Sequence, residues 1–460
     1  MDHLTKKDIE EVLDRTLDKK LAYHQAAITD CIESRFQKFE QKIQGKHETS
    51  VKQTPSMPQW KVFLLSAIFV LGAGILYYVS NPNPGFFYDY TFRIAGALLH
   101  GKLGLTDSPP QWLNEMVPFG DRYFSVFPLG SVLTMIPFAL LKEINLIEYF
   151  PAALIVACIA SASALFLILL SAKYIRDPKT RLILSAVILF GTWMWTNLAF
   201  SGAWQIALGL AVLGELGALY FILGTYRPIL AGFFFALAFG NRTEIILIAP
   251  LFLFMIYYYR PTLDNDNTHA KHSPIRSLVK FLVLPAALLL LTFIYNYARF
   301  GSFMDFGNAR IPGVLLEPWY RHGIFSIHAI PLNAQEMLWR GWKSINQYPY
   351  LVPTGFGGSI VLSSPFLLLL FRKEKRHTHL KSLSWIAIVI LTAVLWLHGN
   401  PGGWQFSYRY AMILLPWIFI ILLETANDRL SKYELILFTI SIAINAYATY
   451  LFFWTPFVRP

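Results

Sequence analysis

VFPLGSVLTMIPFALL, residues 126–141, is apolar and nearly long enough to cross a bilayer. Its reading sets the topology of everything after it. If it crosses, each later loop changes side and the basic clusters face outward. AKYIRDPKTR (172–181), YRP (226–228), the polar run from Arg260 to Lys280 and RKEKRHTHLK (372–381) would then break the rule that cytoplasmic loops carry the excess of Lys and Arg. Read as a juxtamembrane or re-entrant helix, it leaves all four clusters on one side, the cytoplasmic one. Pro128 and Pro137 agree with that reading.

Outward from this stretch, apolar runs of about 20 residues, the length a helix needs to cross a membrane, recur along the chain. They fall at 61–80, 149–171, 182–200, 204–223, 228–241, 243–259, 280–298, 350–371, 383–398, 409–424 and 434–453. The pattern predicts an all-α polytopic membrane protein of about eleven transmembrane helices, with juxtamembrane helices in a long first outer loop. Composition agrees. Of 460 residues, 55% are hydrophobic and only 15% charged, against roughly 25% charged in soluble domains. Continuous rather than alternating runs exclude a β-barrel. The net charge of +11 sits between spans, so topology accounts for it without nucleic acid. Cys31 and Cys158 lie in a charged and an apolar segment, which argues against a disulfide. The charged start MDHLTKKDIEEVLDR is no signal peptide.

Residues 1–44 read as a cytoplasmic amphipathic helix with apolar residues at three- and four-residue spacing, suited to a partner protein. A polar linker, 45–58, precedes the transmembrane domain, 59–460. The N-terminus is expected inside, with the segments 81–148 and 299–349 on the opposite face. The expected location is the plasma or inner membrane.

Asp89 lies in FYDYTFRIAGALLHGKLGL (87–105), just beyond the first span. A helix through it puts Tyr88, Phe92, Ala95 and Leu99 on an apolar stripe, and Asp89, Arg93, Gly96 and His100 on a polar one. The apolar stripe suits a helix lying on the membrane surface. Asp89 has a plain reading as a helix N-cap and a chemical one as a general base that takes the proton of an acceptor hydroxyl. Arg93, one turn on, keeps the carboxylate ionised and oriented. Asp107, Glu115 and Asp121 follow as further acids, read mostly as solvated. Asp121 stands out because it precedes the aromatic RYFSVFPLG, which holds Tyr123.

Three arginines lie at span ends. Arg299 is in YNYARFGSFMDFGNAR (295–310), with Asp305 and Arg310; Arg409 stands between Tyr408 and Tyr410 in HGNPGGWQFSYRYAMILLPW (398–417); Arg242 is in GNRTE (240–244) beside Glu244. Each reads either as an interfacial anchor or ion pair or as a phosphate ligand, since guanidinium meets phosphate oxygens in a bidentate way. Glu215 reads as a buried acid bonded to a neighbouring helix. His100, His322 and His328 share the outer face without metal-site spacing, and no Walker, His-Glu-x-x-His or Cys-x-x-Cys signature is present.

Four stretches in order, YDYTFRIAGALLHGKLGL, GDRYFSVFPLGSVLTMIP, YNYARFGSFMDFG and GGWQFSYRYAMILLPW, carry a resemblance. The chain resembles the multispan, lipid-phosphate-dependent glycosyltransferases of the C superfamily (GT-C), relatives of protein O-mannosyltransferases and aminoarabinose transferases. The likeness spans residues 60 to 425. It implies inverting hexosyl or pentosyl transfer from a polyprenyl-phosphate donor to a lipid, glycan or protein acceptor on the non-cytoplasmic side. Asp89 becomes the catalytic base, with Arg93 and Asp121 in support. Arg409, Arg299 and Arg242 become donor-phosphate ligands, and Tyr88, Tyr123, Tyr408 and Tyr410 line the substrate. Many such enzymes pair two acids where this chain reads Tyr88-Asp89-Tyr90, and one carboxylate is a poor divalent site. A divalent metal is therefore not favoured, and no other cofactor is implied. A flippase or transporter would place charges mid-membrane on symmetric broken spans; a polymerase of lipid-linked glycans would carry its large outer loop late in the chain.

Overall fold

A computed structural model describes residues 57–82, 88–259, 273–376 and 378–458. The helix expected over 1–44 and the linker through residue 56 lie outside the described residues. Contacts divide the chain into Met1–Pro58 and Gln59–Pro460, and the second unit is an all-α membrane domain.

The chain runs α1 (Gln59–Ser80), α2 (Tyr90–Leu99), a hairpin β1 (Val117–Phe119) and β2 (Arg122–Phe124), α3 (Leu129–Leu133), α4 (Ile136–Glu143), α5 (Ala152–Tyr174), α6 (Pro178–Phe190), α7 (Met194–Ala199), α8 (Ala203–Leu223) and α9 (Pro228–Asn241). A 3-10 turn (Thr243–Ile248) leads into α10 (Ala249–Tyr258), followed by α11 (Pro274–Phe300) and, within a long connection, α12 (Ile330–Leu338). Then come α13 (Ile360–Ser363) with a 3-10 continuation (Pro365–Phe371), α14 (Thr378–Leu397), a 3-10 turn (Arg409–Leu414) entering α15 (Leu415–Thr425), and α16 (Lys432–Phe453). The little sheet present includes a two-residue parallel pairing of 356–357 with 405–406.

Among the described residues six helices, α1, α5, α8, α11, α14 and α16, are long and apolar enough to cross a membrane. The other expected spans are shorter or broken. The 3-10 turn Thr243–Ile248 and α10, six and ten residues long, together rise roughly 27 Å at about 2.0 and 1.5 Å per residue. The tighter turn thus lets a short segment reach almost as far as a regular helix. The stretch 126–141 forms no single long helix: α3 and α4, five and eight residues long, part at Thr134–Met135 just before Pro137.

α8 is the hub, with 83% of its apolar window buried against 17% for α1 and 22% for α11. It packs on α9 and α5, and α9 packs on α11. With no hydrophobic drive between helices in lipid, close approach of small residues is what holds such contacts. A Cβ on Gly130 of α3 would lie 2.5 Å from the Cα and carbonyl oxygen of Gly240 on α9. Gly130→Ala is therefore expected to cost about 1–3 kcal/mol of stability, read as a lower melting temperature. Gly96→Ala, where a Cβ meets nothing within 4 Å, is the matched control and should show no loss. Inside the bundle Glu215 accepts a 2.8 Å hydrogen bond from the Trp417 indole on α15, the neighbouring-helix bond expected for it.

The bundle has two chemically distinct ends. At one, the loops 172–181 and 372–381 converge on the α15–α16 turn: the Arg176 and Thr180 groups donate to Asp428 and Arg376 to Leu423 O, while Arg372 pairs with Glu434 at 2.6 Å. At the other, the end of α1, the start of α8, the hairpin segment, the end of α11 and the approach to α15 come together.

Candidate functional site

Asp89 immediately precedes α2, yet its side chain makes no capping bond. Asp89 thus holds the N-cap position, as the plain reading expects, without the side-chain bond of a cap. Its Oδ1 instead accepts from Arg93 Nε at 2.8 Å, and the residue is 6% exposed. The apolar stripe of α2 faces protein, not lipid: Phe92 and Ala95 are buried, α2 packs on α3 and α4, and the Phe92 ring lies 5.1 Å from Phe150. This corrects the surface-helix expectation. The short α4, folding back from Pro137, covers the face that lipid was expected to cover. The polar stripe is then left to line open space. Asp89, Arg93 and Gly96 form one wall of a cavity of about 300 Å³ whose other walls include Trp112, Lys142, Glu143 and Glu148–Phe150.

A second constellation lies around Tyr410. The loop before it is tightly tied. Asn197 of α7 donates to and accepts from the backbone of Phe406 (2.6 and 3.1 Å), and Gln405 Oε1 accepts the Arg409 backbone N–H at 3.0 Å. These bonds hold Arg409 at the first turn of its 3-10 segment. Its guanidinium carbon stands 5.1 Å from the Tyr410 ring and 5.9 Å from the Trp204 ring. Arg242 approaches Tyr410 at the same 5.1 Å. The two differ in satisfaction. Arg242 forks onto Glu244 through Nε and Nη2, at 2.8 and 2.6 Å. Arg409 is 6% exposed, has only long contacts to Trp404 O (3.3 Å) and the Tyr410 hydroxyl (3.4 Å), and its buried Nε has no partner. Among the described residues no carboxylate lies within 4.0 Å of Arg409. A buried cation so loosely held is costly unless something anionic joins it.

Trp204, at the start of α8, joins the two constellations. Its ring contacts Tyr88 and Tyr90, both at 5.1 Å, which flank Asp89 in the chain. The indole N–H donates to Glu115 Oε2 at 2.7 Å. Glu115 was expected among the solvated acids, and the structure corrects this. The residue keeps some exposed surface, but its carboxyl group is enclosed. Burial raises its pKa, opposed by the Trp204 hydrogen bond and the charge of Arg409. His398 stands on the far side of Tyr410, ring centroids 5.6 Å apart, with Nδ1 bonded to Asn400 O at 2.7 Å. Sequence reading singled out neither Trp204 nor His398, although Trp204 sits at a span start just as Arg409 does.

Other expected site residues are placed elsewhere. Asp121 is at the hairpin tip, its side chain 89% exposed beside Arg122, and it lines neither cavity along α2. Tyr123 is a strand residue whose backbone bridges Leu105 and whose ring packs on the core. Tyr408 is fully buried, its hydroxyl bonded to Asn333 Oδ1 (2.9 Å) and Leu395 O (3.1 Å); it is core, not substrate lining. Arg299 is a structural cation rather than a free ligand. It is 2% exposed, donates to Ser125 O (2.6 Å) and Asn296 Oδ1 (2.7 Å), and stacks 3.9 Å from the Tyr295 centroid; its Nε, like that of Arg409, has no hydrogen-bond partner, so the two differ in their terminal nitrogens. It pins the end of α11 to the segment after the hairpin. Arg310 pairs with Asp305 at 2.6 Å. Arg299→Met is accordingly expected to lower stability by about 2–4 kcal/mol through lost charge-assisted bonds and cation–π contact, and to leave unchanged the affinity of any anionic ligand that Arg409 binds. A thermal melt and a binding isotherm check the two halves.

His322 and His328 lie with ring centroids 4.2 Å apart, and among the described residues no group of three or more His, Cys, Asp or Glu is arranged to hold a metal. No protein-family model, curated protein or solved structure matches the chain.

Proposed function

We propose that this chain is a membrane glycosyltransferase that moves a sugar from a polyprenyl-phosphate donor onto a hydroxyl acceptor. The basic end of the bundle is then cytoplasmic, eleven apolar segments cross the membrane, and the Asp89–Trp204–Arg409 end faces outward. One observation carries the reading. A buried guanidinium with an unpartnered Nε stands over Trp204, and the aromatic neighbours of that same ring flank a buried carboxylate.

The chemistry divides between the two constellations. Arg409, with Arg242 across Tyr410, takes the donor phosphate; guanidinium suits phosphate oxygens in geometry and charge. The same cations stabilise the phosphate as its bond to the anomeric carbon breaks and its oxygen gains charge. Such preorganised charge stabilisation is commonly the largest catalytic contribution. Asp89 accepts the proton of the acceptor hydroxyl as that oxygen bonds the anomeric carbon, so one C–O bond forms as one breaks and the sugar inverts. Arg93 orients the base. The cavity along Asp89 carries none of the three candidate arginines on its walls; in this reading it takes the acceptor, and the Tyr410 side takes the donor.

The test is purified protein in bilayer discs with a panel of radiolabelled polyprenyl-phosphate sugars. Label passing to an acceptor with release of polyprenyl phosphate supports the proposal. Lipid flipping with no turnover from any donor would replace it with the transporter reading.

A further inference from the structure

The cavity beside Asp89 continues into a second of about 290 Å³, and the two share Arg93, Gly96, Leu105 and Glu143. Both volumes lie near the lower end for small-molecule sites, about 300–1,000 Å³, and a shared wall makes a groove rather than a pit. The groove follows the polar stripe of α2, from Asp89 past Arg93 and Gly96 to His100.

Its charges answer one another across the walls. Asp89 pairs with Arg93 at 2.8 Å, and His100 Nε2 approaches Glu143 at 3.5 Å. Lys142 lies 5.9 Å over the Phe92 ring. Counting the first cavity's lining, Arg93 and Lys142 oppose Asp89, Glu143 and Glu148, so +2 and −3 give −1. That balance repels phosphate, sulfate and carboxylate groups and offers many hydrogen-bonding groups instead. Trp112 and Tyr149 on the same walls are 39% and 65% exposed, giving flat apolar faces between the polar groups. Alternating polar contacts and aromatic faces suit a ligand with hydroxyls on its edges and C–H groups on its faces.

We infer that this groove binds a neutral oligosaccharide, held between Trp112 and Tyr149 and running along α2. That this ligand is the acceptor, its terminal hydroxyl delivered to Asp89, rests on the transferase reading; the binding itself does not.

Gly96 provides the test. A Cβ there meets nothing within 4 Å, so Gly96→Phe fills the groove without displacing backbone. Full-chain protein in bilayer discs is titrated with neutral hexasaccharides built from mannose, glucose, galactose and arabinose, with sulfated dextran, and with phosphatidylglycerol vesicles. At least one neutral hexasaccharide is expected to bind. Gly96→Phe should weaken it at least tenfold and Tyr149→Ala about fivefold, with melting temperatures and polyprenyl-phosphate affinity unchanged. The inference is overturned if no neutral hexasaccharide binds, if sulfated dextran or the anionic vesicles bind more tightly, or if Gly96→Phe binds as the wild type does. Hexasaccharide binding without polyprenyl-phosphate binding would sink the transferase reading and leave the carbohydrate groove standing.

Discussion

Asp89→Asn is expected to reduce transfer by about 10²–10⁴-fold, the usual contribution of a positioned general base, with donor affinity unchanged. The substitution is close to isosteric. The remaining side-chain carbonyl oxygen still accepts from Arg93 Nε, so α2 keeps its start, and there is no capping bond to lose. The ion pair itself contributes little to stability, because the Arg93 side chain is 36% exposed and exposed pairs are worth about 0–1 kcal/mol. A melting temperature near that of the wild type, with single-turnover rates reduced by orders of magnitude, is the expected pair of results. Equal single-turnover rates would remove Asp89 from the chemistry and direct attention to Glu115, the other enclosed carboxyl group of this region.

Arg409→Met is expected to weaken polyprenyl-phosphate binding by about 10²-fold or more. Each charge-assisted hydrogen bond is worth about 1.5–3 kcal/mol, and a bidentate phosphate contact loses two of them. Transfer at saturating donor should fall as well, by about 10²–10³-fold, because the same cation meets charge developing on the leaving oxygen. Arg409→Lys should restore little, since an ammonium lacks the planar fork. Stability separates this residue from Arg299. Arg409 has only two long side-chain contacts, so the methionine variant should melt no lower than the wild type. Arg299 has short bonds to Ser125 O and Asn296, so its variant should lose stability and keep donor affinity. Donor binding by Arg409→Met within twofold of the wild type would end the phosphate assignment.

The two arginines also show how far sequence reading reaches. Both stand at span ends beside aromatic residues, Arg299 before Phe300 and Arg409 between Tyr408 and Tyr410. Their local signatures are equivalent. They part only through contacts remote in sequence: Arg299 meets Ser125, 174 residues away, whereas Arg409 faces Trp204 and, among the described residues, has no carboxylate within 4.0 Å. The acids behave alike. Asp121 and Glu115 occupy one loop, but the hairpin turn leaves Asp121 in solvent while the Trp204 indole engages Glu115 from 89 positions away. Tyr408 and Tyr410 alternate as strand or turn neighbours do, one into the core and one toward the arginines.

What the sequence determined by itself is the class of the molecule and its local geometry. Runs of apolar residues declare membrane helices, because satisfying every backbone group in lipid leaves a single chain few structures to choose from. The paired prolines of 126–141 mark a segment that breaks into two short helices. The stripe Asp89, Arg93, Gly96, His100 is fixed by helical period alone, and those residues do line the grooves along α2. Tertiary structure alone decided which polar groups are satisfied. It folded α4 over the apolar face of α2, tied Arg299 by short bonds, exposed Asp121, enclosed Glu115 and left Arg409 with only long side-chain hydrogen bonds. Periodicity acts over three or four residues, whereas satisfying a buried charge depends on whichever distant element packing brings within about 3 Å of it.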